Sequence, residues 1–278
     1  MKPSPMNRGH DPVTGPSPTL APPRPLAMLR ETRTALDLAR MFPRLLNASL
    51  RPVAASAAVR PAVMVIPGFG SDDRYTAPLR HYLKRRGFPA EGWGLGRNLA
   101  GVDLPHSLDD LSDGWRVSRK PDYRGEASVP YLCDRLAERV RQRSREIGRP
   151  LAMVGWSLGG YLAREVARDL PDEVDRVITL GSPTVGGPKY TAAAGFFRKR
   201  GMDLDWIEAE IHKREERPIR RPITAVYSKS DAVVSWAAAI DRYSANVTHV
   251  EVDAAHLGMG FNPTVWGHVI AALEREDG

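Results

Sequence analysis

Residues 151–160 have the sequence LAMVGWSLGG, and they decide how the rest of the chain is interpreted. The first four residues are apolar, which is typical of a strand that is buried on both faces of a sheet. The next five match G-x-S-x-G, a pattern in which a serine occupies a sharp turn between a strand and a helix. Glycines beside such a serine prevent side-chain clashes within the turn. The pattern therefore predicts that Ser157 is a nucleophile displayed at the end of the strand.

The surroundings of the pattern matter, because at average composition it arises by chance in roughly one chain in ten of this length. A tight strand–helix turn with an incidental serine would have the same letters. The nucleophile is favoured because an apolar strand precedes the pattern and leucine and valine follow it at helical spacing over residues 158–170. Gly155, Trp156 and Gly159 are then the residues that form the turn around Ser157.

Short apolar runs alternate with amphipathic stretches from residue 61 onward. The predicted strands are 63–66, 90–96, 151–154, 174–180, 223–227 and 249–252. The predicted helices begin at Asp72 or Asp73 and cover 129–147, 158–170 and 264–276, and residues 97–125 are predicted to form a long loop. This alternation predicts an α/β fold in which a mostly parallel central sheet carries helices on both faces. In such folds ligands bind at the carboxyl ends of the strands.

The composition predicts three regions along the chain. Residues 1–25 are rich in proline, serine, glycine and threonine and are expected to form a disordered arm. Residues 26–60 are expected to form an N-terminal helical extension, with a basic helix over 26–42 that Pro43 ends or kinks. Residues 61–278 are expected to form the main domain.

One segment of that domain departs from the strand–helix alternation. Residues 184–221 lie between two predicted strands and are expected to form a small helical cap. Phe196, Phe197, Met202 and Trp206 have two interpretations of equal weight in this segment. They line an acyl pocket, or they form the ordinary core of the inserted helices.

Two further side chains are needed to activate a serine, because its hydroxyl is a poor nucleophile until a base takes its proton. In chain order the elbow serine is followed by an acid and then by a histidine. Of the seven histidines, only His256 lies in a loop directly after the predicted last strand. Asp231 follows the preceding strand and is the favoured acid. Asp253 is its rival, although it is so close to His256 in sequence that it would have to fold back.

The tetrahedral intermediate of acyl transfer also needs two backbone N–H donors. One is predicted to come from Leu158, the residue after the nucleophile, and the other from Phe69 in the PGFG sequence at 67–70. A plain turn is the simplest alternative for that sequence. A dinucleotide-binding loop is excluded, because Asp73 stands where the third glycine of the fingerprint belongs.

The overall composition constrains compartment and partners. The formal net charge is +7, but the basic residues are scattered, so a nucleic-acid partner is not expected. The single cysteine, Cys133, cannot form an internal disulfide, and no apolar signal segment follows the first residues, so a cytoplasmic location is expected. A small-molecule ester or lipid is the expected substrate. Weak contact of helix 26–42 with a membrane surface is a second interpretation of its basic residues. No cofactor or metal is expected.

The chain resembles the α/β-hydrolase superfamily, particularly bacterial carboxylesterases and lipases, over about residues 61–275. The resemblance rests on VIPGF at 65–69, GWSLGG at 155–160, GSP at 181–183, SKSDAVV at 228–234 and His256. It implies an α/β-hydrolase fold with a small cap and transfer of an acyl group to water through an acyl-serine intermediate, as in an esterase or lipase. The same three side chains serve thioesterases, amidases, acyltransferases and cofactor-free peroxidases, and a non-catalytic binding protein of this fold is also conceivable.

Two positions depart from the family pattern. The loop after the first predicted strand has Pro67 and a single useful Gly68, where the family often carries His-Gly or a run of glycines. Single-glycine loops resemble those of lipases that act on medium or long acyl chains. Trp156 replaces the histidine that commonly precedes the serine, and it is expected to pack beneath the turn.

Overall fold

The computed structural model describes residues 19–50 and 60–275. Its helices and strands are, in chain order, α1 (Thr34–Leu50), β1 (Val63–Ile66), α2 (Asp73–Arg85), β2 (Ala90–Gly92), α3 (Ser128–Ile147), β3 (Leu151–Trp156), α4 (Leu158–Asp169), β4 (Val174–Leu180), α5 (Ala194–Lys199), α6 (Leu204–Glu215), β5 (Ile223–Tyr227), β6 (Val247–Glu251) and α7 (Pro263–Leu273). Short 3-10 helices cover Pro25–Arg33, Leu108–Asp110, Gly187–Tyr190 and Trp236–Ala239. Most of the predicted disordered arm lies outside the described residues.

Within residues 19–50 and 60–275, the six strands are all parallel and form one sheet in the order β2-β1-β3-β4-β5-β6. The strand order reverses between β1 and β3, since β2 lies on one side of β1 and all later strands lie on the other. Loops that leave neighbouring strands at such a reversal separate and leave a crevice between them. Ile66 at the end of β1 is in register with Gly155 in β3, so Phe69 and Ser157 lie in loops that border this crevice.

Side chains of each central strand point alternately into two cores, one on either face of the sheet. In β3, Ala152, Val154 and Trp156 pack in a core with residues of α2 and α7, whereas Leu151 and Met153 pack in a core with residues of α3 and α4. The prediction of a central sheet with helices on both faces is thus confirmed.

The predicted strand over 90–96 is too long. β2 ends at Gly92 because the Asp73 carboxylate accepts hydrogen bonds from the Trp93 and Gly94 N–H groups, each at 3.1 Å. Those two donors are then no longer available to a neighbouring strand. Asp72 rather than Asp73 caps α2, since its side chain accepts from the Arg74 N–H.

The N-terminal helix continues past Pro43, where it was predicted to end or kink. Ala39 and Pro43 both lie on its exposed side, where the carbonyl that loses its partner at a proline can reach water. The opposite side packs on the domain, and Met41 joins the same core as α2 and α7. In the described part of the chain, we find no helix whose length and apolarity would suffice to cross a bilayer.

Candidate active site

Ser157 lies in the turn between β3 and α4 with a φ of 54° and a ψ of −124°. Such a positive φ is costly for a residue with a side chain, and backbone strain of this kind is typical of functional turns. The two flanking glycines are required by space. A Cβ at Gly155 would collide with the Gly159 backbone, and a Cβ at Gly159 would lie 2.7 Å from the Pro67 carbonyl oxygen. The structure therefore gives a physical reason for both glycines of the pattern.

Asp231 and His256 are brought together above the carboxyl end of β4. The Nδ1 atom of His256 donates to the Asp231 Oδ2 atom at 2.7 Å, and only 2% of each side chain is exposed. The second oxygen of Asp231 accepts from the Val233 and Val234 N–H groups at 2.8 and 2.7 Å. Three hydrogen bonds thus fix the carboxylate in an orientation that fits a proton on Nδ1.

Gly181, the residue after β4, leaves the space that this pair needs. Its φ is 58°, and a Cβ built there would lie 3.0 Å from the Asp231 Oδ2 atom and 3.1 Å from the His256 Nδ1 atom. Any side chain at this position would push the acid and the histidine apart. The GSP sequence at 181–183 therefore has a role next to the pair, in addition to ending the strand.

Asp253 lies on the same loop as His256, but its carboxylate is directed to other partners. It pairs with both terminal nitrogens of Arg33 at 3.0 and 2.8 Å and accepts from the Ser230 hydroxyl at 2.9 Å. The hydrogen bond from Arg33 lowers the pKa of Asp253 below its usual range. Its side chain is 70% exposed. Of the two candidate acids, the structure places only Asp231 against His256.

A cleft of about 1230 Å³, counted with the solvent at its mouth, joins the predicted site residues. Ser157, His256, Phe69 and Leu158 all line it. Within the described residues, the Phe69 and Leu158 N–H groups make no hydrogen bond to the protein. Both predicted donors are thus free at the cleft that contains the serine.

Buried Asn98 fixes the loop that carries Phe69. Its side-chain amide donates to the Pro67 carbonyl at 2.8 Å, and its backbone carbonyl accepts from the Gly70 N–H at 2.7 Å. The asparagine N–H also donates to the Ser71 carbonyl. These three hydrogen bonds hold Pro67, Gly70 and Ser71, so the backbone around Phe69 is fixed on both sides.

The cap segment supplies much of the apolar wall of the cleft. Phe197, Met202 and Trp206 line it. Phe197 and Met202 also pack in a small core with other cap residues, so each of these two side chains belongs both to the pocket and to the core of the cap. Phe196 does not line the cleft. It is nearly half exposed, and its ring centroid lies 6.2 Å from that of Phe69.

Three charged side chains that line the cleft are already paired within the protein. Arg214 donates to the Glu165 and Asp169 carboxylates and lies 4.0 Å from the ring centroid of Trp115. Glu210 accepts from the Ser118 N–H and from Lys213. Glu126 accepts from the Arg124 and Asp203 N–H groups. These charges are therefore not available to a ligand without breaking bonds inside the fold.

Comparisons with known proteins agree with this architecture. The mature form of a Bacillus licheniformis lipase superposes with a TM-score of 0.53 at 14% identity, over 80% of this chain and 96% of that one. The chain has the α/β-hydrolase fold. Residues 118–185, which include the turn at Ser157, match the thioesterase domain family.

Partial sequence matches of the chain are to an esterase and to a bifunctional protein. The pimeloyl-(acyl-carrier protein) methyl ester esterase of Methylococcus capsulatus is 34% identical over 106 residues, which are 38% of either chain. The biotin biosynthesis bifunctional protein of Teredinibacter turnerae is 28% identical over 123 residues, which are 44% of this chain and 17% of that protein. The alignments thus span well under half of the relatives' length.

Two residues near the site, Tyr75 and Glu31, were not predicted from the sequence. The Trp156 indole donates to the His256 carbonyl at 3.1 Å, and the Tyr75 ring stacks on Trp156 with 4.1 Å between centroids. Trp156 does pack beneath the turn as predicted, and it also supports the histidine loop. Glu31, from the N-terminal extension, accepts from the His256 N–H. These contacts join residues 81, 100 and 225 positions apart, and no local pattern carries such information.

Proposed function

We propose that this protein hydrolyses carboxylic esters with apolar acyl groups through an acyl-serine intermediate on Ser157. The observation that supports this most is the shared cleft. It is lined both by a serine in a strained turn and by a histidine whose Nδ1 is bonded to a buried carboxylate. The partial matches to esterases agree with this reaction type.

The proposed reaction assigns one role to each side chain. The Ser157 oxygen attacks the ester carbonyl carbon while the His256 Nε2 atom accepts its proton. Asp231 fixes the ring and stabilises the imidazolium. The Phe69 and Leu158 N–H groups then donate to the oxyanion. His256 returns its proton to the leaving alcohol. Water then attacks the acyl-serine carbonyl while His256 takes a proton from it, and His256 gives that proton to the Ser157 oxygen as the acid leaves.

The cleft favours an uncharged acyl chain. Its wall from the cap is aromatic and aliphatic, and Glu126, Glu210 and Arg214 are satisfied by protein partners. A charged acyl end would have to be desolvated there without a free counter-charge, which is costly. Each methylene that enters the cleft instead contributes about 0.8 kcal/mol. We therefore expect kcat/KM to rise with acyl length until the cleft is filled.

Thioester hydrolysis is the second candidate. It is favoured by the match of residues 118–185 to the thioesterase domain family. A thioester presents the same carbonyl carbon to Ser157, and the two reactions differ only in the leaving group. Oxygen esters and thioesters with identical acyl chains therefore provide the direct comparison.

The test begins with a fluorophosphonate probe, which labels activated serines. Wild-type protein is expected to be labelled and to hydrolyse p-nitrophenyl esters of increasing chain length, and Ser157→Ala is expected to lose both properties. Absence of labelling in folded wild-type protein would refute the enzyme proposal. Labelling that persists in Ser157→Ala would show that another residue is the nucleophile. Cys133 is a poor competitor, because it is buried and burial raises the pKa of its thiol.

A further inference from the structure

Glu31 is a buried carboxylate that bridges the two loops carrying the proposed acid and base. It lies in the 3-10 helix Pro25–Arg33, and only 8% of the residue is exposed. Its Oε1 atom accepts from the His256 N–H at 3.0 Å and from the Ala232 N–H at 3.3 Å, and its Oε2 atom accepts from the Leu257 N–H at 2.9 Å. Ala232 directly follows Asp231 in the chain.

A buried carboxylate is stable only when its oxygens are satisfied, and here the bonds come from backbone N–H groups of two separate loops. One loop follows β5 and the other follows β6. A single side chain therefore fixes the distance between the backbone of Asp231 and the backbone of His256. Bonds to one of these loops would be enough to hold the N-terminal segment on the domain, whereas Glu31 bonds to both.

Neighbouring contacts reinforce the same bridge. Arg33 pairs with Asp253 on the histidine loop, and Asp253 in turn accepts from the Ser230 hydroxyl on the acid loop. Asp37 in α1 accepts from the Asn262 side chain at 2.9 Å, which lies beyond the histidine loop. Asp37 thus contributes to docking of the N-terminal segment without contacting either proposed triad residue.

We propose that Glu31 is a positioning residue that fixes the geometry of the Asp231–His256 pair. The proposal rests on the proposed function, in which His256 moves the serine proton. Loss of the carboxylate leaves three N–H groups without partners and frees the loops to move relative to one another. Misplacement of a catalytic group by about 1 Å can cost roughly a hundred-fold in rate. Leu257 lines the cleft, but most of the apolar wall is formed by the cap segment, so KM is expected to change little.

The experiment compares three substitutions in the full chain. Glu31→Ala removes both oxygens, and we expect kcat for p-nitrophenyl esters to fall about 30- to 100-fold, with KM within about threefold of wild type. Glu31→Asp is too short to reach both loops and should behave similarly. Glu31→Gln retains one acceptor oxygen, which can serve the Ala232 and His256 donors together, and it should recover most of the lost kcat.

Asp37→Ala is the matched control, because it also removes a buried carboxylate from the N-terminal segment. It should lower Tm by about as much as Glu31→Ala while leaving kcat within about twofold. An NMR readout reports on the pair itself. The downfield signal of the proton between His256 Nδ1 and Asp231 should be present in Asp37→Ala and lost or shifted in Glu31→Ala.

The outcomes separate this proposal from the proposed function. Equal losses of kcat in Glu31→Ala and Asp37→Ala, or an unchanged kcat in Glu31→Ala, would overturn the positioning role while Ser157-dependent hydrolysis stands. A Glu31→Gln variant as inactive as Glu31→Ala would also contradict it, because one acceptor oxygen should suffice for the bonds to Ala232 and His256. Wild-type protein that neither hydrolyses esters nor reacts with a fluorophosphonate would instead refute the proposed function.

Discussion

Replacing the carboxylate that faces His256 by an amide should abolish most of the hydrolysis, whereas the same replacement 22 positions later should not. The comparison uses Asp231→Asn and Asp253→Asn. Both aspartates lie on loops at the carboxyl end of the sheet, and both were candidates for the acid. Only Asp231 contacts the imidazole, while Asp253 pairs with Arg33.

The expected size of the effect follows from the geometry of the pair. His256 becomes positively charged when it takes the serine proton, and its Nδ1 atom lies 2.7 Å from the Asp231 carboxylate. The charge is shared over the imidazole ring, so we take its centre to be about 4 Å from the carboxylate. At an effective dielectric constant of about 20, the attraction at this separation is about 4 kcal/mol. Since about 1.36 kcal/mol corresponds to tenfold in rate, Asp231→Asn should lower kcat by roughly a thousand-fold. The amide also donates towards Nδ1 and so favours the wrong tautomer, which adds to the loss.

A much smaller effect is expected at Asp253. Its ion pair with Arg33 is exposed, and such pairs contribute less than about 1 kcal/mol to stability. kcat should therefore remain within about threefold of wild type. Steady-state hydrolysis of one p-nitrophenyl ester by the three proteins, each with its Tm measured, provides the test. A large loss in folded Asp253→Asn with activity retained in Asp231→Asn would refute the assignment of the acid.

Three further predictions concern the turn, the cleft and the buried charges. Gly159→Ala places a methyl group against the Pro67 carbonyl oxygen, so we expect a loss of several kcal/mol or no folded protein, measured by urea unfolding. Phe197→Ala should enlarge the cleft and shift the preferred p-nitrophenyl ester towards longer chains, with activity on acetate changed little; an unchanged chain-length profile would show that the acyl group binds elsewhere. Asp241→Asn should cost about 3–5 kcal/mol of unfolding free energy, because it leaves its buried partner Arg164 poorly compensated. Burial alone would raise the pKa of Asp241, but Arg164 and backbone N–H groups outweigh burial and lower this pKa. The stabilisation that ionised Asp241 provides is therefore complete above the unfolded pKa of about 3.9 and is lost as the pH falls below that value towards the folded pKa. Urea unfolding at pH 7 and pH 3 should therefore show a smaller difference between wild type and Asp241→Asn at the lower pH.

The parts that the sequence predicts are those specified by neighbouring residues. A short, mainly apolar run that ends at glycine or at proline and glycine is a local signal, and it locates the strands that end at Ile66, Trp156 and Leu180 within a few positions. The turn at Ser157 is predictable for the same reason, since its glycines are required by contacts within a few residues and with the adjacent strand. His256 follows from chain order and its place after the last strand.

The parts that the sequence misses depend on contacts between distant residues. Glu31 stands in a basic stretch and would be assigned to solvent from its neighbours, yet it is buried by loops more than 200 positions away. At Pro43 the sequence misleads in the other direction. A proline strongly predicts the end or a kink of a helix, but the helix continues because Pro43 lies on its exposed side. The end of β2 depends on the Asp73 carboxylate, about 20 residues earlier, which accepts from the N–H groups that would have extended it.

Helix α6 of the cap is fixed to the helix that begins at the nucleophile. Four ion pairs join α4 to α6, of which Arg164–Glu215, Arg168–Glu215 and Glu165–Arg214 are buried and Asp169–Arg214 is partly buried. Removing one partner of a buried pair costs about 3–5 kcal/mol, so displacing α6 as a lid would be expensive. Phe69, Phe196 and Leu257 are instead partly exposed, and Phe69 and Leu257 line the cleft beside the proposed catalytic residues. Substrate is therefore expected to enter between these residues, and the fixed wall of α6 then limits how much acyl chain the cleft accepts.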